Sequence, residues 1–391
     1  MPVYCDFGLA SFSESQASTV PSPPSVAGSS HEWRRQRPDG PGPSPRAGRG
    51  LRSGRRARAG AGPEPALDRR GRHLRRREHH RAKRGEERAQ GARRVRQKRR
   101  EDVTSKCPPS PMLILRACSI RRSFKHLPVP VYRGCEQPLS QPLDFADQYH
   151  GCDGLGDVQD QFPCTDDDED DDDGSVDGRP MHAAEKLIEM ARREPGQITL
   201  LLLGPLTNAA LALTLDPRFG ANLKEIFILG GNVEGRGNVL PGAEFNFKAD
   251  PEAANVVLTR AQCPITIVPW EAVVKSPIPW EVYSMMTRQD TAKSRFVSAI
   301  TRFTLRYYDD VASGGYEVGD ALAVAAVLAP DSVASALEHR RVAVELGGVH
   351  TRGQLVHAWT PDLLPDVKRT VRVVTAFNKE RVSELLMRMV V

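Results

Sequence analysis

Three polar side chains, Asn238, Glu244 and Asn246, lie close together in a glycine-rich loop. The loop directly follows the apolar segment 225–229, and it ends in an Asp-Pro pair that is typical of a helix N-cap followed by the first helical residue. Carboxylate and carboxamide groups can hydrogen-bond to several hydroxyl groups at a fixed geometry. The three groups therefore suit the hydroxyl groups of a sugar, although a polar loop before an ordinary helix start explains the same residues when they are taken alone.

The loop belongs to a chain in which short apolar runs alternate with segments of helical periodicity. This alternation predicts an α/β fold with a mostly parallel central sheet and helices on both faces. Sheets of this kind bind ligands at the carboxyl ends of their strands. The predicted strands are residues 129–132, 198–203, 225–229, 265–268, 342–345 and 371–376, and the predicted helices are residues 181–193, 206–215, 251–261, 294–309, 320–328 and 379–389. A peripheral hairpin is predicted for residues 341–345 and 354–358.

Five motifs follow one another along the chain, in residues 129–139, 150–157, 198–208, 230–254 and 319–325. They include a His-Gly pair, a Gly-Pro-Leu-Thr-Asn turn after an apolar strand, and a Gly-Asp pair at a helix start. In this order they resemble the inosine–uridine-preferring nucleoside hydrolases over residues 113–391. The resemblance implies the nucleoside hydrolase fold for this segment, which we treat as one domain.

The activity that the resemblance implies is hydrolysis of the N-glycosidic bond of ribonucleosides such as inosine and uridine, which releases ribose and a free base. Cleavage of a glycosidic bond passes through a cationic sugar. The resemblance assigns the ribose contacts to Asn238, Glu244 and Asn246. It makes Asn246 and His150 the candidate catalytic residues. His150 is also explained as a loop histidine that is hydrogen-bonded to the backbone.

Calcium is the cofactor that the resemblance implies. Its expected ligands in this chain are the Asp320 carboxylate and the backbone carbonyl of Leu203. Calcium takes about six to eight oxygen ligands, so we expect the site to be incomplete. Taken alone, Asp320 is equally explained as a helix N-cap.

The candidates for contacts with the nucleobase are His150, Tyr308, Tyr316 and Trp270. Some members of the family have a histidine before the metal-binding aspartate, where it acts as a general acid on the purine. This chain has Gly319 there, so the group that assists the leaving base stays open. Trp270 is also explained as a core residue.

The family begins with a strand that ends in Asp-x-Asp-x-x-x-Asp-Asp, and residues 1–112 lack this pattern. The nearest segment is 4–11, in which Ala10 and Ser11 replace the paired aspartates and Asp6 is interpreted as a chance match. We therefore expect the first strand to be missing, the sheet to be incomplete and catalysis to be impaired. The alternative is a non-catalytic nucleoside-binding or interaction protein with a basic tail that binds nucleic acid.

Residues 1–112 are interpreted as a separate, disordered region rich in Arg, Gly, Pro and Ala. The whole chain has 55 Lys and Arg residues against 49 Asp and Glu residues, and the basic excess lies entirely in this region. Three explanations stay open: non-coding sequence translated through a faulty gene model, a basic tail that binds nucleic acid, and an inert linker.

An acidic insertion occupies residues 165–178 and fits neither register of an EF-hand, so we interpret it as a solvated loop. The seven cysteines show no Cys-x-x-Cys pair and predict free thiols in a reducing compartment. No signal peptide and no membrane-spanning run is recognised. We expect a cytoplasmic protein whose partner is a ribonucleoside, with a homo-oligomer as an open option.

Overall fold

The computed structural model describes residues 3–5, 130–162, 181–308 and 314–391, all of which belong to one compact unit. Within these residues the strands form one seven-stranded sheet in the order β1-β2-β3-β4-β7-β5-β6. The strands are β1 (Val3–Cys5), β2 (Thr199–Leu202), β3 (Glu225–Leu229), β4 (Ile265–Val268), β5 (Ala334–Val344), β6 (Leu355–Ala358) and β7 (Val371–Phe377). The pairings from β1 to β4, and that of β4 with β7, are parallel, whereas β5 is antiparallel to both β7 and β6.

The helices of the described residues connect these strands and cover the sheet. They are α1 (Asp147–His150), α2 (Ala183–Arg193), α3 (Thr207–Leu215), α4 (Phe219–Asn222), α5 (Phe245–Ala249), α6 (Pro251–Arg260), α7 (Trp270–Lys275), α8 (Trp280–Thr287), α9 (Ala292–Tyr308), α10 (Gly319–Leu328), α11 (Pro330–Val333) and α12 (Lys379–Val390). As expected from the Asp-Pro pair, the Asp250 side chain accepts a hydrogen bond from Ala253 N and Pro251 opens α6.

The core is divided by the sheet into two apolar clusters. Leu200 and Leu202 of β2 belong to one cluster, together with side chains of α2, α3 and α6. Leu201 of the same strand belongs to the other cluster, together with side chains of α7, α8, α10 and α12. Successive strand residues point to opposite faces, so a strand buried on both faces is apolar throughout. Helices therefore cover both faces of a mostly parallel sheet, as predicted.

The strand β1 corrects the prediction that the first strand is missing. Val3, Tyr4 and Cys5 pair in parallel with Thr199, Leu200 and Leu201 of β2, at one edge of the sheet. Valine and tyrosine favour extended backbone, which suits them to such a strand. The next residue, Asp6, lies outside the described residues, as do the basic region and the acidic insertion.

Two other predictions about elements are wrong. Residues 130–132 contain no strand, although residues 129–132 were predicted to form one. β5 begins at Ala334 rather than at residue 342. The prediction missed its first half because that half is exposed and lacks the apolar alternation that marks a buried strand. The hairpin of β5 with β6 is confirmed. Among the described residues no helix is long and apolar enough to cross a membrane.

The cysteines also depart from the prediction. Cys152 is disulfide-bonded. The buried Cys263 has a free thiol. The sequence argument for a reducing compartment rested on unpaired spacing along the chain, which gives no information about cysteines that meet in space. That argument therefore loses its support.

Candidate active site

Asn246 connects the carboxyl ends of two neighbouring strands. Its side-chain Nδ2 donates hydrogen bonds to the carbonyl of Leu229, the last residue of β3, at 2.9 Å and to the carbonyl of Leu203, just after β2, at 3.1 Å. The side chain is buried, at 7% relative exposure. Because both amide protons are used on carbonyl oxygens, the Oδ1 atom must point away from them. Asn246 is therefore held as an acceptor at the carboxyl edge of the sheet.

Glu244 is a buried carboxylate at the start of α5. It accepts hydrogen bonds from the backbone N–H groups of Asn246 at 2.9 Å, Phe247 at 3.2 Å and Gly231 at 2.9 Å. Burial raises the pKa of its carboxyl group to about 7, although these three bonds oppose the shift, and the negative charge of Asp320 adds to it. The carboxylate thus joins the two ends of the glycine-rich loop.

We call the glycine-rich loop between β3 and α5, residues 230–244, the sugar loop, after the ribose contacts that the resemblance implies for it. Gly231 has φ +70°, and a side chain there would meet Leu355 at 3.1 Å, so this position favours glycine. Asn238 is exposed, and its Oδ1 accepts a hydrogen bond from Phe245 N at 2.9 Å. Asn232 is fully buried and donates to the carbonyls of Gly242 and Arg236. Hydrogen bonds between the side chains of Asn232 and Asn238 and the backbone therefore hold the conformation of the loop.

Asp320 is the second residue of α10, whose N-cap is Val318, so Asp320 itself is not the cap. The preceding residue, Gly319, faces Leu229 at the end of β3: a Cβ atom there would lie 3.5 Å from the Leu229 side chain. Asp320 is open to solvent but surrounded by protein on several sides, and this desolvation raises the pKa of its carboxyl group to about 6. Asp320 and Glu244 therefore bring two carboxyl groups to the same edge of the sheet.

The described residues do not fit a calcium ion. Calcium takes about six to eight oxygen ligands, and the expected site offers the Asp320 carboxylate and the Leu203 carbonyl. The Leu203 oxygen already accepts a hydrogen bond from Asn246. Within the described ranges there is no group of three or more His, Cys, Asp or Glu side chains that could hold a metal ion.

The candidates for contacts with the base are only partly brought together. Tyr316 is buried, and its hydroxyl lies 2.9 Å from Thr304 Oγ1. Burial raises the pKa of Tyr316, and both Tyr149 and Asp320 are close enough to raise it further. His150, which follows Tyr149 at the end of α1, is exposed.

Two further candidates differ from that group. Trp270 opens α7 and is partly buried, with its side chain packed against the apolar cluster under α7 and α10. Its backbone N–H donates to the carbonyl of Gly231 at 3.0 Å. Tyr308 is the last residue of α9, and its side chain lies outside the described part of the chain.

Sequence reasoning missed one buried residue of this region, Glu271. Its carboxylate accepts hydrogen bonds from the backbone of the sugar loop at Val233, Glu234 and Arg236. The motifs of the sequence do not indicate it, because all its hydrogen-bond partners are backbone groups of a distant segment. A charged residue in an otherwise apolar segment was the one available signal.

Comparisons with known proteins agree on one family. The model of the inosine-uridine preferring nucleoside hydrolase family matches residues 112–384. The pyrimidine-specific ribonucleoside hydrolase RihB of Escherichia coli is 32% identical to this chain over 231 residues, which are 57% of this chain and 68% of the relative.

Two solved structures are similar to most of the chain. An inosine-guanosine nucleoside hydrolase has a TM-score of 0.63 and 28% identity, with coverage of 71% of this chain and 86% of the other. The plant nucleoside hydrolase PpNRh1 has a TM-score of 0.61 and 26% identity, with coverage of 72% and 86%.

Proposed function

This chain belongs to the inosine–uridine preferring nucleoside hydrolase family, and on that premise we propose that it binds ribonucleosides and hydrolyses their N-glycosidic bond. The observation that carries the proposal is the double hydrogen bond of Asn246 to the carbonyls of Leu203 and Leu229. It fixes an acceptor at the carboxyl edge of the parallel strands, where α/β sheets bind their ligands.

The ribose is the part of the substrate for which the site is best suited. We assign its hydroxyl contacts to Asn238, Glu244 and Asn246, which all belong to the sugar loop or to α5 beside it. Glu244 and Asn246 are buried and held by backbone partners, so they bind a sugar without first losing side-chain freedom. Asn238 is exposed at the surface of the loop, where a bound sugar can reach it.

The reaction adds the oxygen of water to the anomeric carbon of ribose, breaks the bond between that carbon and the base nitrogen, and releases the base with a proton. Positive charge develops on the sugar as the bond breaks. Carboxylates at Glu244 and Asp320 stabilise that charge when they are ionised. We assign the base side to His150 and Tyr316, which are linked through Tyr149.

We further propose that turnover is weak. The segment after β1 lacks the paired aspartates of the family, with Ala10 and Ser11 in their place. Calcium is the family's expected cofactor, but the described residues do not fit it, so no step is derived through it. Loss of a general base typically lowers the rate by about 10²–10⁴-fold.

Binding without turnover is the second candidate function. The residues that we assign to the sugar all lie in the described part of the chain, whereas the described residues supply only two of the expected metal ligands, which supports this candidate. The relatives differ in the base that their names specify, so a pyrimidine and a purine nucleoside both need to be tested.

The test is ribose release from uridine, cytidine, inosine and guanosine, together with calorimetric binding of each nucleoside. Wild type is compared with Asp320→Asn and with the matched control Asp331→Asn, which changes an exposed aspartate of α11. We expect slow ribose release that Asp320→Asn abolishes and Asp331→Asn leaves unchanged. Binding without release would support the second function, and absence of both binding and release would overturn both.

A further inference from the structure

We infer that Glu271 is a positioning residue that sets the conformation of the sugar loop and thereby the affinity for ribose. The inference rests on the proposed function, because it concerns the loop to which we assign the ribose contacts. Glu271 touches no residue of the site that we assign to the sugar, so its effect must pass through the loop backbone.

The contacts of Glu271 are all with consecutive or nearly consecutive residues of the loop. Oε2 accepts from Val233 N at 2.9 Å, whereas Oε1 accepts from Glu234 N at 2.8 Å and from Arg236 N at 3.4 Å. The side chain is buried, at 3% relative exposure. Glu271 thus takes up backbone donors that would otherwise have no strand or helix partner.

The rest of α7 holds the same loop. The backbone N–H of Trp270 donates to the carbonyl of Gly231 at 3.0 Å. Lys275, one helical turn after Glu271, forms an ion pair with the side chain of Glu234. Three residues of one short helix therefore hold the loop in place, and Glu271 makes most of the hydrogen bonds.

The path from Glu271 to the sugar contacts is short. Arg236 gives its N–H to Glu271, and its carbonyl accepts from Asn232 Nδ2 at 3.3 Å. The following residue, Gly237, donates to the carbonyl of Pro241 at 3.0 Å, and Asn238 comes next. We therefore expect a shift of Arg236 to move Asn238, which lies two residues further along the loop. The other end of the loop is held separately by Glu244.

The chemistry of the carboxylate explains why glutamate occupies this position. A carboxylate offers two acceptor oxygens and no donor, which matches three converging N–H groups. A glutamine would place an NH₂ group against at least one of these donors. An aspartate keeps both acceptor oxygens but is one methylene shorter. Its carboxylate would therefore lie further from the N–H groups of the loop and restore the hydrogen bonds only in part.

Both oxygens of Glu271 accept hydrogen bonds from the loop backbone and the side chain is buried, so we assign it no contact with the substrate and treat it as a positioning residue. Its removal should loosen the loop and weaken sugar binding. The catalytic step, once the sugar is bound, should change less. The inference therefore predicts a change in KM that exceeds the change in kcat.

The experiment compares wild type with Glu271→Gln, Glu271→Asp and the control Asp216→Asn. Asp216 is likewise a buried carboxylate, and it accepts hydrogen bonds from Arg192 Nε at 2.8 Å and Arg218 N at 2.9 Å, outside the sugar loop. The measurements are kcat and KM for ribose release, calorimetric binding of inosine and uridine, and amide exchange of peptides that cover residues 231–238.

For Glu271→Gln we expect faster amide exchange in residues 231–238 and a KM or Kd that rises about tenfold, because hydrogen bonds to a charged acceptor are lost. Glu271→Asp should recover part of both effects. Asp216→Asn should change neither, even if it lowers the unfolding midpoint.

Amide exchange separates this inference from the proposed function. If wild type neither binds nor cleaves nucleosides, the proposed function fails, while faster exchange in Glu271→Gln still supports the role of Glu271 in ordering the loop. Unchanged exchange and unchanged KM in both Glu271 variants would overturn the inference. If Glu271→Gln does not fold, Glu271→Asp decides by the same two measurements.

Discussion

The side-chain amide of Asn246 donates a hydrogen bond to the backbone carbonyl of Leu203 at 3.1 Å. This carbonyl is the oxygen that the family resemblance assigns to a metal ion. A carbonyl oxygen has two lone pairs, so the bond leaves one of them open. The amide therefore fixes the direction from which a ligand can approach the Leu203 carbonyl. The orientation of the Asn246 side chain can be tested by substitution.

Replacement of Asn246 by aspartate should destabilise the fold strongly. The aspartate would set a carboxylate oxygen against the carbonyls of Leu203 and Leu229, and each unsatisfied buried group costs about 1–3 kcal/mol. The matched control is Asn238→Asp, because the side-chain oxygen of Asn238 is an acceptor for Phe245 N and this role is kept. Urea unfolding of both variants checks the prediction. Equal loss of stability in the two variants would show that the orientation of the Asn246 amide does not contribute to the free energy of unfolding.

Glu244 should make the stability of the protein depend on pH. Its pKa is about 7 in the folded protein and about 4.3 in an unfolded chain. Because the folded state binds the proton more tightly, the stability from Glu244 is complete below the unfolded pKa and is lost as pH rises through about 7. Each unit of pKa shift corresponds to about 1.4 kcal/mol.

The comparison is between wild type and Glu244→Gln, which cannot ionise. The free energy of unfolding of wild type minus that of the variant should fall as pH rises from about 5 to about 8. Chemical denaturation at several pH values measures this difference. A difference that stays constant over this range would mean that Glu244 does not hold its proton in the folded state.

The edge strand β1 should contribute to stability. Tyr4→Pro removes a backbone N–H group and interrupts the pairing of Tyr4 with Leu200. We expect a loss of about 1–3 kcal/mol and faster amide exchange in β2. Tyr4→Val is the control, since valine favours strands. If the two variants unfold alike and β2 exchanges at the same rate in both, the sheet does not depend on β1.

Gly319 offers a test of leaving-group assistance. A Cβ atom at this position would meet Leu229 and Val273 at 3.5–3.6 Å, which is ordinary van der Waals contact, so a side chain can be added. Gly319→His should raise ribose release from inosine by up to about 10²–10⁴-fold over Gly319→Ala, because it supplies a general acid beside Asp320. Uridine should benefit less. Equal rates for the histidine and alanine variants would mean that the nucleobase does not lie next to position 319.

Much of the sheet was predictable because its central strands are buried on both faces. The segments 225–229 and 265–268 were predicted with the bounds that β3 and β4 have in the structure. β1 escaped prediction since a three-residue strand carries no periodicity, and its partner lies far along the chain. The first half of β5 escaped because it is exposed.

The candidate site was predictable only where the residue type itself indicates a binding role. Asn238, Glu244 and Asn246 stood out as polar residues among glycines. The roles that depend on backbone partners did not stand out, because every residue has an N–H and a carbonyl. The three-fold acceptor role of Glu271 and the bridging role of Asn246 are of this kind. Whether these side chains serve catalysis stays a prediction.

The pairing of β1 with β2 also has a consequence for how the chain folds during synthesis. The two strands are separated by about 200 residues, yet a longer flexible connection costs little, since each doubling of its length adds only about 0.6 kcal/mol. Time is the stronger constraint. At a translation rate of about 5–20 residues per second, β1 waits on the order of 10–40 seconds for its partner. During that interval its backbone groups are open to pairing with other chains, so the N-terminal edge is where misassembly of this protein should begin.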